Sequence, residues 1–170
     1  MAPPNNLDAA ILITLSPGAY TVFSKERQWP PASGWRKFNV DPSANAQSTN
    51  LSARAFVGTG NDVLIGGTII RGNGTSLLRV LVRALGSSLA SPGVTTPLAN
   101  PTLSLRDANG NVIASNDNWK DSQQADIAAT GKAPPNDHES AILALLAPGN
   151  YTAIVAGKKR NYGRCPDRVL

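Results

Sequence analysis

The chain has 170 residues, 41% of them apolar and 5% aromatic, with 15 glycines and 13 prolines. That suffices for one domain with its own core and a remainder. No apolar run approaches the roughly 20 residues of a membrane span, and the single cysteine, Cys165, excludes an internal disulfide or a cysteine-rich zinc site. The formal net charge of +5 invites a nucleic-acid partner, but its distribution argues against one. Nine of the 16 basic residues fall at Lys25, Arg27, Arg36, Lys37, Lys158, Lys159, Arg160, Arg164 and Arg168. The other seven face nine acidic residues, so the rest of the chain carries a net −2.

Residues 2–22, APPNNLDAAILITLSPGAYTV, are nearly restated at 133–153, APPNDHESAILALLAPGNYTA. Aligned without a gap at an offset of 131, 12 of the 21 positions are identical. Two prolines, an apolar alternation, a Pro-Gly turn and a Tyr-Thr pair recur in order, which marks a repeated module rather than chance. The run 9–15 has no basic lead, and Asp8 precedes it, so it does not read as a signal peptide. Residues 1–23 are therefore assigned to the closing hairpin of a preceding module and 24–50 to a linker.

The main body is expected over 51–157. DVLIGGTII (62–70) is rich in β-branched residues and ends in the turn cluster RGNGTS (71–76). LLRVLVRAL (77–85) alternates, with Arg79 and Arg83 pointing away from Val80 and Val82, and the two runs are expected to pair as a hairpin. SSLASPGVTTPLANP (87–101) reads as a loop. TLSLR (102–106), DANG (107–110) and NVIAS (111–115) read as strand, turn and strand. ADIAATGKA and ESAILALLA have helical propensity, but the close spacing of turns favours strands. SAILALL (140–146) and NYTAIVAG (150–157) flank a Pro-Gly turn and are expected to form the closing hairpin. Short strands with frequent turns imply an all-β fold, an antiparallel β-sandwich of jelly-roll or immunoglobulin-like kind, with the N-terminal hairpin duplicated.

The runs RAFVGTGNDVLIGGTII, LRVLVRALGSSLA, LANPTLSLRDANGNVIASNDNW and SAILALLAPGNYTAIVAGK resemble a β-sandwich module repeated in large secreted bacterial proteins. The second half is also similar to the bacterial pre-peptidase C-terminal domain, with its L-x-D-x-x-G turn and PG-x-Y-T hairpin. The resemblance implies a non-catalytic accessory or adhesive module, extracellular or at the cell surface. Its partners would be neighbouring modules of the same protein and a cell-surface polysaccharide or protein. The alternative it carries is an accessory domain of a secreted hydrolase that binds calcium or substrate.

Both copies depart from that family after the repeat. An alternating closing strand is expected where SKERQWPPASGWRK (24–37) and KKRNYGRCPDRVL (158–170) stand. A shifted reading frame can restore such a strand in each. A frameshift is therefore our hypothesis for the basic linker and the irregular tail, and a coding sequence lacking those strands in its other frames would refute it. Residues 24–37 and 158–170 are expected to be poorly ordered.

Catalytic chemistry finds little support. The only histidine, His138, aligns with Leu7 in the first copy, and no nucleophile elbow accompanies it. GTGNDV lacks the third glycine of a dinucleotide loop, and TGKAPP lacks the hydroxyl residue of a phosphate loop. The protein is read as a non-enzyme without a resident cofactor. The one oxygen-rich group is Asp107, Asn109, Asn116, Asp117, Asn118 and Asp121. Calcium takes six to eight oxygens, so Asp107, Asn109, Asp117, Asn118 and Asp121 are the candidate ligands. Their spacing is not that of an EF-hand loop.

Overall fold

A computed structural model of the chain describes residues 14–20, 50–58, 60–72, 75–90 and 95–158. The chain divides into two units, Met1–Thr49 and Asn50–Leu170. Among the described residues, the second holds six strands and one short helix: β1 Leu64–Ile70, β2 Leu78–Ala84, β3 Pro101–Arg106, β4 Val112–Asn116, α1 Gln124–Ala129, β5 Ser140–Leu146 and β6 Gly149–Gly157. It is an all-β body of antiparallel sheets with one helix.

One sheet runs β1-β6-β3-β4 and the other β2-β5. Period-two alternation decides which side chains meet. Leu103 and Leu105 of β3, with Tyr151, Ala153 and Val155 of β6, face Val80, Val82, Ala84, Ile142 and Leu146 of the second sheet. Leu103, Leu105, Ala84 and Ile142 are almost fully buried. Burying one such side chain contributes about 1.5–3 kcal/mol, so this seam is the main source of stability. The outer face of β2-β5 is covered in turn. Trp119 and Ile127 pack on Ala141, with Leu81 and Leu143 at the margin.

The β3–β4 hairpin forms where expected. Gly110 takes a φ of 84°, and its N–H donates to the Asp107 carbonyl at 3.1 Å. Two other pairings differ from expectation. β1 pairs with β6 and β2 with β5, so neither β1–β2 nor β5–β6 is a hairpin. Each connection crosses from one sheet to the other. The alternation in these runs fixes which face is apolar, and both faces are satisfied by a shared core rather than by adjacency along one sheet. The helix is the third difference. Residues 124–129 are helical, while 140–146 are a strand as expected. Helix α1 needs only Ile127, fully buried, to hold it to the sheet.

The Pro-Gly crossing is a tyrosine corner. Tyr151 Oη donates to the Ala147 carbonyl at 2.9 Å. In the first unit Tyr20 Oη donates to the Ser16 carbonyl at 2.6 Å. These are equivalent positions of the repeat, so the two copies share a local structure as well as a sequence. Such corners fix how the chain passes between sheets. Tyr151→Phe is expected to cost about 1 kcal/mol, the usual net value of one hydrogen bond. A fall in the urea midpoint at unchanged m-value would show it.

The free edge of β5 is covered by side-chain amides. Gln123, at a φ of 55°, donates from Nε2 to the Leu143 carbonyl (2.8 Å) and accepts from the Leu143 N–H (3.1 Å). Asn116 Oδ1 accepts from the Ala141 N–H at 3.0 Å. These bonds occupy edge groups of Ala141 and Leu143, where a foreign strand would otherwise pair. At the other sheet, the start and the end of the body meet. Gly157 N–H donates to the Gly58 carbonyl at 2.8 Å, and Lys158 N–H donates to the Asn100 carbonyl at 3.0 Å. Lys158 is thus held at the end of β6, in contrast to the expected disorder. Residues 24–37 and 159–170 lie outside the described residues.

Candidate functional site

Three places on the second unit carry polar chemistry. The first is the β3–β4 turn. Asp107 Oδ1 accepts from the N–H groups of Asn109 (2.9 Å) and Asn111 (2.8 Å), and Oδ2 accepts from Asn111 Nδ2 (3.0 Å). The Asn111 side-chain amide, helped by the turn's N–H groups, holds the Asp107 carboxyl below its ordinary 3.8. A carboxyl lowered in the folded state stabilises the fold above its unfolded pKa, and that contribution is lost as pH falls through the folded value. The stability gap between the native chain and Asp107→Asn is expected to be present at pH 7 and to shrink as pH drops below about 3.8. Thermal melts of the two proteins from pH 7 to pH 2 would read it. A gap independent of pH would contradict it.

The second place is the loop after β4. Asp117 Oδ2 forms an ion pair with Lys158 Nζ, and the Asp117 carbonyl accepts from Ser140 Oγ at 2.7 Å. Asn118 Nδ2 donates to Asp121 Oδ2 at 2.8 Å, while Asp121 N–H donates to the Asn118 carbonyl at 3.0 Å. Asn118 Oδ1 is buried without a hydrogen-bond partner. Asn116, 9% exposed, pins the loop by donating to the Asn118 carbonyl at 2.9 Å. A shallow depression of about 240 Å³ lies beside it, lined by Asn118, Lys120, Asp121, Asp137 and His138. Lys120 and Asp137 close an ion pair there at 2.6 Å. The lining, among the described residues, brings imidazole and carboxylates together without a hydroxyl or thiol nucleophile.

The five candidate calcium ligands therefore separate. Asp107 and Asn109 lie at the turn end of β4, and Asp117, Asn118 and Asp121 at its other end. A five-residue strand spans roughly 17 Å at about 3.4 Å per residue. Among the described residues, no three His, Cys, Asp or Glu side chains are grouped to hold a metal ion.

The third place is one the sequence did not point to. Glu139 is fully buried. Its Oε1 accepts from the Gly86 N–H (2.7 Å), the Ser88 N–H (3.0 Å) and Ser88 Oγ (2.6 Å). Its Oε2 accepts from the Asn136 N–H at 3.3 Å. The carboxylate thus ties the 3-10 turn Ser87–Ala90 to the entry of β5. A buried charge is tolerated where hydrogen bonds surround it. The trace of this role in the sequence is the repeat, in which Asp8 aligns with Glu139 and Asn5 with Asn136. Around it, Ser140 Oγ lies 2.5 Å from the Pro101 carbonyl, and Trp119 N–H donates to the Glu139 carbonyl at 2.8 Å. These bonds all serve architecture.

One broad surface remains open. The outer face of the larger sheet presents Ile65 and Ile69 of β1, exposed by 46% and 67%. Beside them a shallow groove includes Thr102, Ser104, Arg106, Ser115 and Ile154. Among the described residues, no helix is long and apolar enough to cross a membrane. Comparisons with family models, with curated proteins and with solved structures find no match to this chain.

Proposed function

We propose that residues 51–157 are a β-sandwich module, of jelly-roll or immunoglobulin-like kind, from a modular exported protein. The module acts by contact, in adhesion, surface attachment or spacing, without catalysis. The observation that carries this reading is the repeated sequence at 2–22 and 133–153 together with the tyrosine corner in both copies, Tyr20 on Ser16 and Tyr151 on Ala147. A protein that repeats a folding unit along one chain gains reach and a series of equal surfaces, whereas an active site needs neither. The open face bearing Ile65, Ile69 and Arg106 suits contact with a polysaccharide or protein at a cell surface, since apolar patches rimmed by polar groups mark such contacts. The resemblance to the pre-peptidase C-terminal domain supports the same export and the same lack of catalysis.

The second reading is an accessory domain of a secreted hydrolase that binds calcium or substrate. Its support is the loop of Asp117, Asn118 and Asp121, where Asn118 Oδ1 has no hydrogen-bond partner. Thermal melting with and without millimolar calcium separates the two. A ligand that binds only the native state raises its stability by mass action, about 2.7 kcal/mol at 100 times its Kd. The contact module is expected to shift by less than about 1 °C. A rise above about 5 °C, lost in Asp121→Asn, would replace the first reading with the second.

A further inference from the structure

We infer that the outer edge of β1 is a self-association edge, at which a second copy of this chain adds its own β1 antiparallel to make one continuous sheet. The inference is independent of any adhesive role, since it rests on strand edges and not on what the open face contacts. The two sheets end in four edge strands, β1, β4, β2 and β5. Among the described residues, three of them carry a device that discourages a foreign strand. β5 has edge groups of Ala141 and Leu143 taken by Asn116 and Gln123. β4 has five residues and a bulge, since Leu105 pairs with Ala114 and Arg106 with Val112, leaving Ile113 extra. β2 bears Arg79 and Arg83, two like charges that an added strand would have to accommodate. β1 pairs only with β6, in unbroken register, and its seven residues LIGGTII hold neither charge nor proline. Residues 65–69 of it are exposed. A Cβ on Gly66 would meet nothing within 4 Å, so the strand overhangs the core there.

The strand's own chemistry names its occupant. In DVLIGGTIIR (62–71), apolar and charged positions are arranged so that the run suits a reversed copy of itself. With Gly67 opposite Gly67 of a second copy, Ile65 lies opposite Ile69 and Ile69 opposite Ile65. Period-two alternation puts all four isoleucines on one face. They are 46% and 67% exposed in the single chain, and β-branched pairs across a ladder stabilise it. Asp62 and Arg71 flank the neutral run. Both are exposed, and neither belongs to an ion pair among the described residues. An antiparallel copy brings each Asp62 to the Arg71 end of the other chain, within one residue of direct opposition. A parallel copy would set acid beside acid and base beside base. Charge therefore selects the antiparallel arrangement. A two-fold axis through Gly67 closes the pair, because each copy spends the one edge that lacks such a device among the described residues.

Sedimentation equilibrium of the full chain at low salt, up to about 100 μM, is expected to give twice the 17.7 kDa mass. The double variant Ile65→Lys, Ile69→Lys changes two exposed side chains and sets lysines opposite one another across the seam. It is expected to keep the amide protection of β3 and β6 and to weaken the dimer at least about tenfold. Asp62→Arg is expected to weaken the dimer by a smaller factor, and adding Arg71→Asp to restore it, a rescue that antiparallel self-pairing gives and a foreign partner does not. The inference is overturned if the chain stays at 17.7 kDa, if the lysines leave the dimer unchanged, or if the second charge reversal fails to rescue the first.

Discussion

Glu139→Gln is expected to destabilise the protein by about 3–5 kcal/mol, as two hydrogen bonds to a charged acceptor are lost at about 1.5–3 kcal/mol each. The carboxylate gathers three backbone N–H groups and the Ser88 hydroxyl in a site with no exposure. Glutamine keeps the volume but replaces one acceptor oxygen by an amide that only donates. Either Oε1 or Oε2 then becomes a donor facing a buried N–H, which costs its full desolvation. Native domains hold only about 5–15 kcal/mol in reserve, so the variant should melt more than about 10 °C lower, at about 4–8 °C per kcal/mol. Glu139→Asp tests reach separately. It keeps the charge, and any recovery above glutamine measures how far a shorter acid still serves. A glutamine variant within about 1 kcal/mol of the native protein, by urea titration, would show that the carboxylate does not organise this end of the body.

Gly86→Ala is expected to be comparably damaging, by about 3 kcal/mol or more. A Cβ at Gly86 would lie 2.1 Å from the Leu98 carbonyl oxygen and 3.2 Å from Pro101 Cδ. Backbone atoms cannot rotate aside as a side chain can, so the two segments must separate. Overpacking of an ordinary core site costs about 1–3 kcal/mol. Here the movement also draws the Gly86 N–H away from Glu139, where it now sits at 2.7 Å. The sign is informative, because glycine to alanine at an unstrained site gains about 0.4–1 kcal/mol through the unfolded chain. Gly66 supplies the control, since an added Cβ there meets nothing within 4 Å. Chemical denaturation of Gly86→Ala and Gly66→Ala side by side should separate them by at least about 2 kcal/mol, and equal stabilities would refute the clash.

The parts of this fold that were legible in the sequence are those set by local chemistry. DANG is a turn because Asp107 can gather the N–H groups of its own loop and Gly110 can take positive φ. The alternation of LRVLVRA placed Val80 and Val82 inside and the arginines outside, as found. What alternation does not encode is the partner of a strand. RGNGTS and the Pro-Gly corner look like hairpin turns, yet both carry the chain across to the other sheet. Helix α1, at six residues, is too short to display a helical period. Glu139 stands among Asp137, His138 and Ser140 and reads as a solvated loop acid, because charged residues are seldom fully buried. The amide cover of β5 by Gln123 and Asn116 is equally hidden, since both residues come from loops distant in sequence. The oxygen-rich residues Asp107 to Asp121 cluster along the chain, but β4 stands between the two groups.

The pairing of β1 with β6 has a mechanical consequence. The two are antiparallel, Leu64 lies opposite Val155, and Gly58 touches Gly157. The polypeptide therefore enters and leaves the body at one corner. Tension applied through the two ends pulls the first and last strands apart at that corner and loads their hydrogen bonds one after another, as a zip is opened. Because each bond then bears the load before the next, the body is expected to yield at lower force when pulled at Gly58 and Gly157 than when pulled across the sheet, and single-molecule stretching from the two attachment points would check it.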